Sequence, residues 1–142
     1  MAHTHSIIDT DKRFSIDPVT RLVKSELDKI TLAQNDHNSE RFTFEIPRVE
    51  GHNMSLCDKV EIHFVNQSTA TTEKSEGVYS VEDVEVISAD DVVIFSWLIS
   101  EDATKYAGTL KFLVRFVCMD GEKTTYVWST AIFKGITIVE GM

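Results

Sequence analysis

The pattern of apolar and polar positions is mostly period two, the repeat of a β-strand, whose side chains alternate between faces. From Val92 to Ile99 both phases are apolar: Val93, Phe95, Trp97 and Ile99 share one face, and Val92, Ile94 and Leu98 the other. That predicts a central strand covered on both sides. From Leu110 to Cys118 the alternation is cleaner. Leu110, Phe112, Val114, Phe116 and Cys118 share a face opposite Lys111 and Arg115. The polar connection SEDATKYAGT between them holds at most one turn of helix, near Asp102–Tyr106. The two strands are expected to be adjacent in the core.

The rest of the chain wraps around this pair. Phe14 and Ile16 alternate within Arg13–Asp17, Asp17-Pro18-Val19-Thr20 reads as a turn, and Arg21–Val23 as the returning arm. Ser25–Ala33 is ambiguous. Ser25 with Asp28 resembles a helix N-cap, yet Ile30 and Leu32 alternate with Lys29 and Thr31, which favours a strand at Lys29–Gln34. Turn formers fill Asn35–Ser39, and Arg41–Ile46 is a half-buried strand ended by Pro47. Val49–Asp58 is a loop bending at Gly51. Val60, Ile62 and Phe64 then point inward, with Glu61 and His63 outward.

Asn66–Gly77 is so hydrophilic that it predicts a long mobile surface loop. In Val78–Ile87 the apolar phase changes from Tyr79 and Val81 to Val84 and Val86, which predicts a bulge or two short strands. Ser88–Asp91 turns into the central strand. Met119–Glu122 carries the Asp-Gly hairpin signal, and Thr125–Phe133 and Ile136–Val139 close the sheets with a kink at Gly135. Roughly eight to ten short strands at regular spacing predict an all-β fold. The expectation is an antiparallel β-sandwich, immunoglobulin-like or jelly-roll-like. Residues 1–11 are expected to be a flexible N-terminal tail, and 12–142 a single sandwich domain.

Composition narrows the function. A chain of 142 residues, 42% apolar, fits one folded domain without disulfide or metal staples. The net charge of −9 argues against a nucleic-acid partner, which would need clustered Lys and Arg. No apolar run is long enough for a membrane span, and the first residues lack the apolar core of a signal peptide, so synthesis in the cytoplasm is expected. Cys57 and Cys118 lack a CxxC spacing and read as buried free thiols, with a single bridge between them as an unneeded alternative.

Candidate chemistry is sparse. His37, His52 and His63 lie near Asp36, Cys57 and Asp58 in sequence, and His3 and His5 in the tail. Their spacing matches no zinc or calcium pattern, so neither metal nor other cofactor is expected. There is no GxSxG and no glycine-rich phosphate loop. The acidic pairs Glu82-Asp83, Asp90-Asp91 and Glu101-Asp102 fit solvated turns better than catalytic dyads. An enzyme is not expected. Trp97, Tyr106, Tyr126 and Trp128 raise one alternative, a carbohydrate-stacking platform.

Three stretches together carry a family resemblance. They are Phe14–Arg21 (FSIDPVTR), Gln34–Arg48 (QNDHNSERFTFEIPR) followed by Gly51–Leu56 (GHNMSL), and Phe95–Ser100 (FSWLIS). In order and spacing they resemble the N-terminal domain of upper baseplate proteins from tailed phages and prophages of Gram-positive bacteria. The resemblance spans about Phe14 to Ile138. It implies a non-enzymatic β-sandwich that plugs into the virion tail, partners other tail or baseplate proteins, forms homo-oligomers there, and in larger members carries a fibre or receptor-binding segment. Candidate docking residues are Asp36, His37, Asn38, Arg48, His52 and Asp58, in the polar loops where the resemblance is densest. The same residues are also the types that simply complete turns, and that account stands beside docking. The sheet faces are expected to pack the core or carry charge, as at Glu61, Lys111 and Arg115. In the alternative reading, the sandwich recognises a host cell-surface glycan, which calls for an exposed aromatic row. Docking calls for an apolar patch or a bare sheet edge.

Overall fold

Ten strands form two facing sheets in the computed structural model, which describes residues 13–23, 30–38, 40–47, 59–82, 84–87, 92–120 and 123–140. They are β1 (Arg13–Ser15), β2 (Thr31–Ala33), β3 (Arg41–Pro47), β4 (Lys59–Ser68), β5 (Lys74–Ser80), β6 (Val84–Ile87), β7 (Val92–Leu98), β8 (Gly108–Asp120), β9 (Lys123–Ser129) and β10 (Phe133–Val139). One sheet runs β1-β3-β7-β6. The other runs β2-β10-β8-β4-β5, with β9 also on β8. The fold is an all-β sandwich, as the alternation predicts. Its long strands pair antiparallel, while the short β1 and β2 join β3 and β10 in parallel. The expected tail, 1–11, lies outside the described residues, as do 24–29 of the ambiguous segment, the whole loop 48–58, the turn 88–91 and the two residues between β8 and β9.

The inward phase of each strand fills the space between the sheets. Phe42, Phe44 and Ile46 of β3 and Val93, Phe95 and Trp97 of β7 meet Val60, Ile62 and Phe64 of β4 and Leu110, Phe112, Val114 and Phe116 of β8. Trp97 and Phe112, both expected in the core, are buried with ring centroids 5.1 Å apart. β7 is also buried on its other phase, at Ile94 and Ser96. One expectation is corrected here. β7 and β8 are not neighbours within a sheet; they lie in opposite sheets and meet face to face. The connection SEDATKYAGT crosses the sandwich, with a single 3-10 turn at Glu101–Ala103.

A second correction concerns Asn66–Gly77. It is a β-hairpin, not a long loop: β4 runs to Ser68, β5 starts at Lys74, and only the turn between is irregular. Low hydrophobicity misleads because β5 lies at a sheet edge, where its outward side chains meet water. The inward polar residue Asn66 is buried yet satisfied. Its Nδ2 donates to the carbonyls of Tyr106 (3.0 Å) and Thr109 (3.1 Å), and its Oδ1 accepts from the Tyr106 amide (2.7 Å). Ser68 Oγ likewise accepts from the amides of Ala70 and Thr71 and closes the turn.

Other punctuation marks act as the residue types dictate. Asp17 Oδ1 accepts from the amides of Val19 and Thr20, and the returning arm shrinks to one bridge, Ile16 to Val23. The phase change after Val81 marks a crossing, since β5 and β6 belong to different sheets. Gly135, at φ 117°, sits in the register shift of β10 against β8. At Gly108 a Cβ would collide with the carbonyl oxygen of Gln67, so the close approach of β8 to β4 requires glycine.

Candidate functional site

The loop after β2 is the first candidate. Asn35 and Asn38 adopt left-handed backbone (φ 68° and 58°), which asparagine tolerates better than most residues. Asp36 Oδ2 accepts from the Ala33 amide at 3.2 Å, and the Asp36 amide returns a bond to the Ala33 carbonyl. The loop is then fastened to the chain between β7 and β8. The Asn35 amide donates to the Thr104 carbonyl (2.8 Å), Thr104 Oγ1 to the Asp36 carbonyl (2.7 Å), and the Asn38 amide to the Ile99 carbonyl (2.8 Å). His37 Nδ1 accepts from the Glu101 amide at 3.2 Å, which sets the tautomer with the proton on Nε2.

Beside this loop, Asn35, Glu101, Asp102 and Lys105 line a shallow polar depression of about 280 Å³. The structure thus brings Asp36, His37 and Asn38 together with Glu101 and Thr104, partners that sequence spacing did not reveal. His37 and Asn38 remain exposed after making these bonds, while Asp36 is half-buried. Arg48, His52 and Asp58 lie outside the described residues. His63 is elsewhere, on the outer face of β4, 3.2 Å from Glu61. Among the described residues, no three His, Cys, Asp or Glu side chains group as metal ligands.

The second candidate is the outer face of the larger sheet. Residues directly opposite one another in antiparallel strands share a face. One row therefore reads Val78, His63, Leu113 across β5, β4 and β8, and the next Glu76, Val65, Lys111. Ile132 borders Leu113, and together these residues line a shallow depression of about 450 Å³. Val78 is 53% exposed and Ile132 56%. The expected charge is present at this face, with Lys111 and Glu76 in the lining, but the apolar Val65, Val78, Leu113 and Ile132 stand beside them. The signal lies in Val65, between His63 and Gln67, and Leu113, between Lys111 and Arg115 on the outward phase of their strands, but only strand register makes them contiguous.

The aromatic platform does not form from its tryptophans. Trp97 and Trp128 are both buried, Trp128 against Phe116 and beneath the Arg21 guanidinium, 4.9 Å from its ring centroid. Tyr106 is half-buried, and nothing is described of the Tyr126 side chain. Among the described residues no helix is long and apolar enough to cross a membrane.

The class defined by these observations is a two-sheet β-sandwich with a fastened polar loop and an apolar patch on one outer face. No family model and no curated protein matches the chain. Among solved structures, it is similar to the N-terminal domain of phage TP901-1 ORF48, with a TM-score of 0.50 and 11% identity. The match covers 90% of this chain and 97% of that one. At this identity the likeness establishes a shared fold.

Proposed function

We propose that the chain is a non-enzymatic structural module of a phage or prophage tail baseplate, docking onto other tail proteins in repeated copies. The observation that carries this reading is the fold likeness to a phage N-terminal domain over 90% of the chain. The three sequence stretches quoted above support the same reading through their resemblance to upper baseplate proteins. The fold is shared by many functions, so the tail assignment rests on these two likenesses coinciding. A virion location follows from the same reading, as does a place for a receptor-binding or fibre segment after β10. The glycan-binding alternative is less favoured, because the exposed patch is aliphatic and the tryptophans face inward.

The proposed docking surface combines the loop at Asp36, His37 and Asn38 with Arg48, His52 and Asp58. In this reading Asp36 holds the loop, while His37 and Asn38 present it. Co-expression with the baseplate protein encoded beside it, followed by size-exclusion chromatography, tests this. A stable complex is expected for the native chain. The pair Arg48→Glu and Asp58→Lys should raise the dissociation constant on the order of tenfold with the melting temperature unchanged. A complex indifferent to these changes, and lost on altering a surface elsewhere, would refute the docking surface.

A further inference from the structure

We infer that the outer face of β5, β4 and β8 is the contact by which two copies of this chain pair, two-fold and face to face. The inference rests on the repeated-copy part of the reading above and names its surface.

The arrangement of side chains about β4 carries it. Val65 is flanked by Glu76 on one side and Lys111 on the other, each directly opposite it in register. One row along, His63 is flanked by Val78 and Leu113. A two-fold axis lying between the sheets and along β4 exchanges the two flanks. It sets Glu76 of each copy over Lys111 of the other, and Val78 over Leu113, while Val65 meets Val65. The opposite charges and the apolar pairs therefore complement their own copies. A two-fold contact repeats each such pair twice.

Charge permits a second copy at this face. The whole chain carries −9, which opposes association. Here Lys74, Lys111 and Arg115 stand against Glu61 and Glu76, so the acidic excess is absent locally. Lys74 Nζ lies 2.8 Å from Glu76, and His63 lies 3.2 Å from Glu61, so opposite charges already alternate across the face. Size is also consistent. Three strands along the length of β4 give a flat footprint of roughly 450 Å² before side-chain relief. A specific dimer buries about 800 Å² per partner, so the contact must span the whole face. The exposed Ile132 and Val127 at the margin of the sheet extend the apolar surface it would cover.

Sedimentation or light scattering on the purified chain, up to about 100 µM, tests the inference. The native chain should be dimeric. Lys111→Glu, which sets like charges together twice, should raise the dimer dissociation constant at least about tenfold. The swap Lys111→Glu with Glu76→Lys should recover most of that loss, which a merely misfolded variant would not do. Circular dichroism on each variant checks the fold. A dimer indifferent to Lys111→Glu and to Val78→Glu would overturn this face while leaving repeated copies standing. A native chain monomeric throughout would overturn the inference and leave docking onto tail proteins to its own test. A face protected only by a different tail protein would also overturn it.

Discussion

Phe112→Ala is expected to destabilise the protein by about 3–5 kcal/mol, the usual cost of emptying a buried phenylalanine site. The Phe112 ring is 1% exposed and joins the two sheets. Its centroid lies 5.1 Å from Trp97 and 5.8 Å from Phe44 in the facing sheet, and 5.1 Å from Phe133 beside it. Truncation removes the shared partner of three rings, and two of those are held in the opposite layer, so the gap cannot close by a small local shift. Against a total stability of about 5–15 kcal/mol the loss is large. Urea unfolding should show a midpoint shift of that size, while Val127→Ala, at an exposed position of β9, should stay within about 0.5 kcal/mol. An unchanged midpoint for Phe112→Ala would remove β8 from the centre of the sandwich.

Asn66→Ala should cost roughly 3 kcal/mol, although it deletes only a small polar side chain. Three main-chain groups, the Tyr106 amide and the carbonyls of Tyr106 and Thr109, lose the partner that Asn66 supplies. Each buried group left unsatisfied costs about 1–3 kcal/mol, with partial relief from entering water. Asn66→Asp should be no milder, since it keeps the acceptor but loses both donors and adds a buried charge. The damage should also be local. The chain between β7 and β8, freed from β4, would hold the Asn35–Asn38 loop less firmly, and amide exchange at Asn35 and Glu101 should quicken. A change below about 0.5 kcal/mol would mean that Asn66 is solvated, as a mobile loop requires.

The sequence is most legible where alternation is strong. Phe42, Phe44 and Ile46, or Leu110 through Phe116, announce buried strands because the inward phase admits nothing polar. It is least legible where tertiary partners decide. Asn66 reads as loop until Tyr106 and Thr109 arrive to satisfy it. β7 and β8 read as neighbours because no local rule tells whether a ten-residue connection pairs two strands or crosses between sheets. The parallel pairing of β1 with β3 and of β2 with β10 is hidden because three-residue strands carry too little period to show a direction. The candidate loop follows the same division. Asp36 and Asn38 are visible as turn formers from their residue types alone. Their bonds to Thr104 and Ile99, and the acceptance of the Glu101 amide by His37, require a fold that brings distant segments together. The outer patch is hidden in the sequence because Val65, Val78, Leu113 and Ile132 meet only in the folded sheet.

The proposal that this sandwich belongs to a tail baseplate is tested most directly by where the protein sits on a particle. Antibodies against the purified chain, coupled to gold, can be applied to phage particles released from the strain that encodes it and viewed by negative-stain electron microscopy. The account predicts gold clustered at the distal end of the tail, in several copies per particle. Gold absent from intact particles, or confined to the capsid, would contradict it.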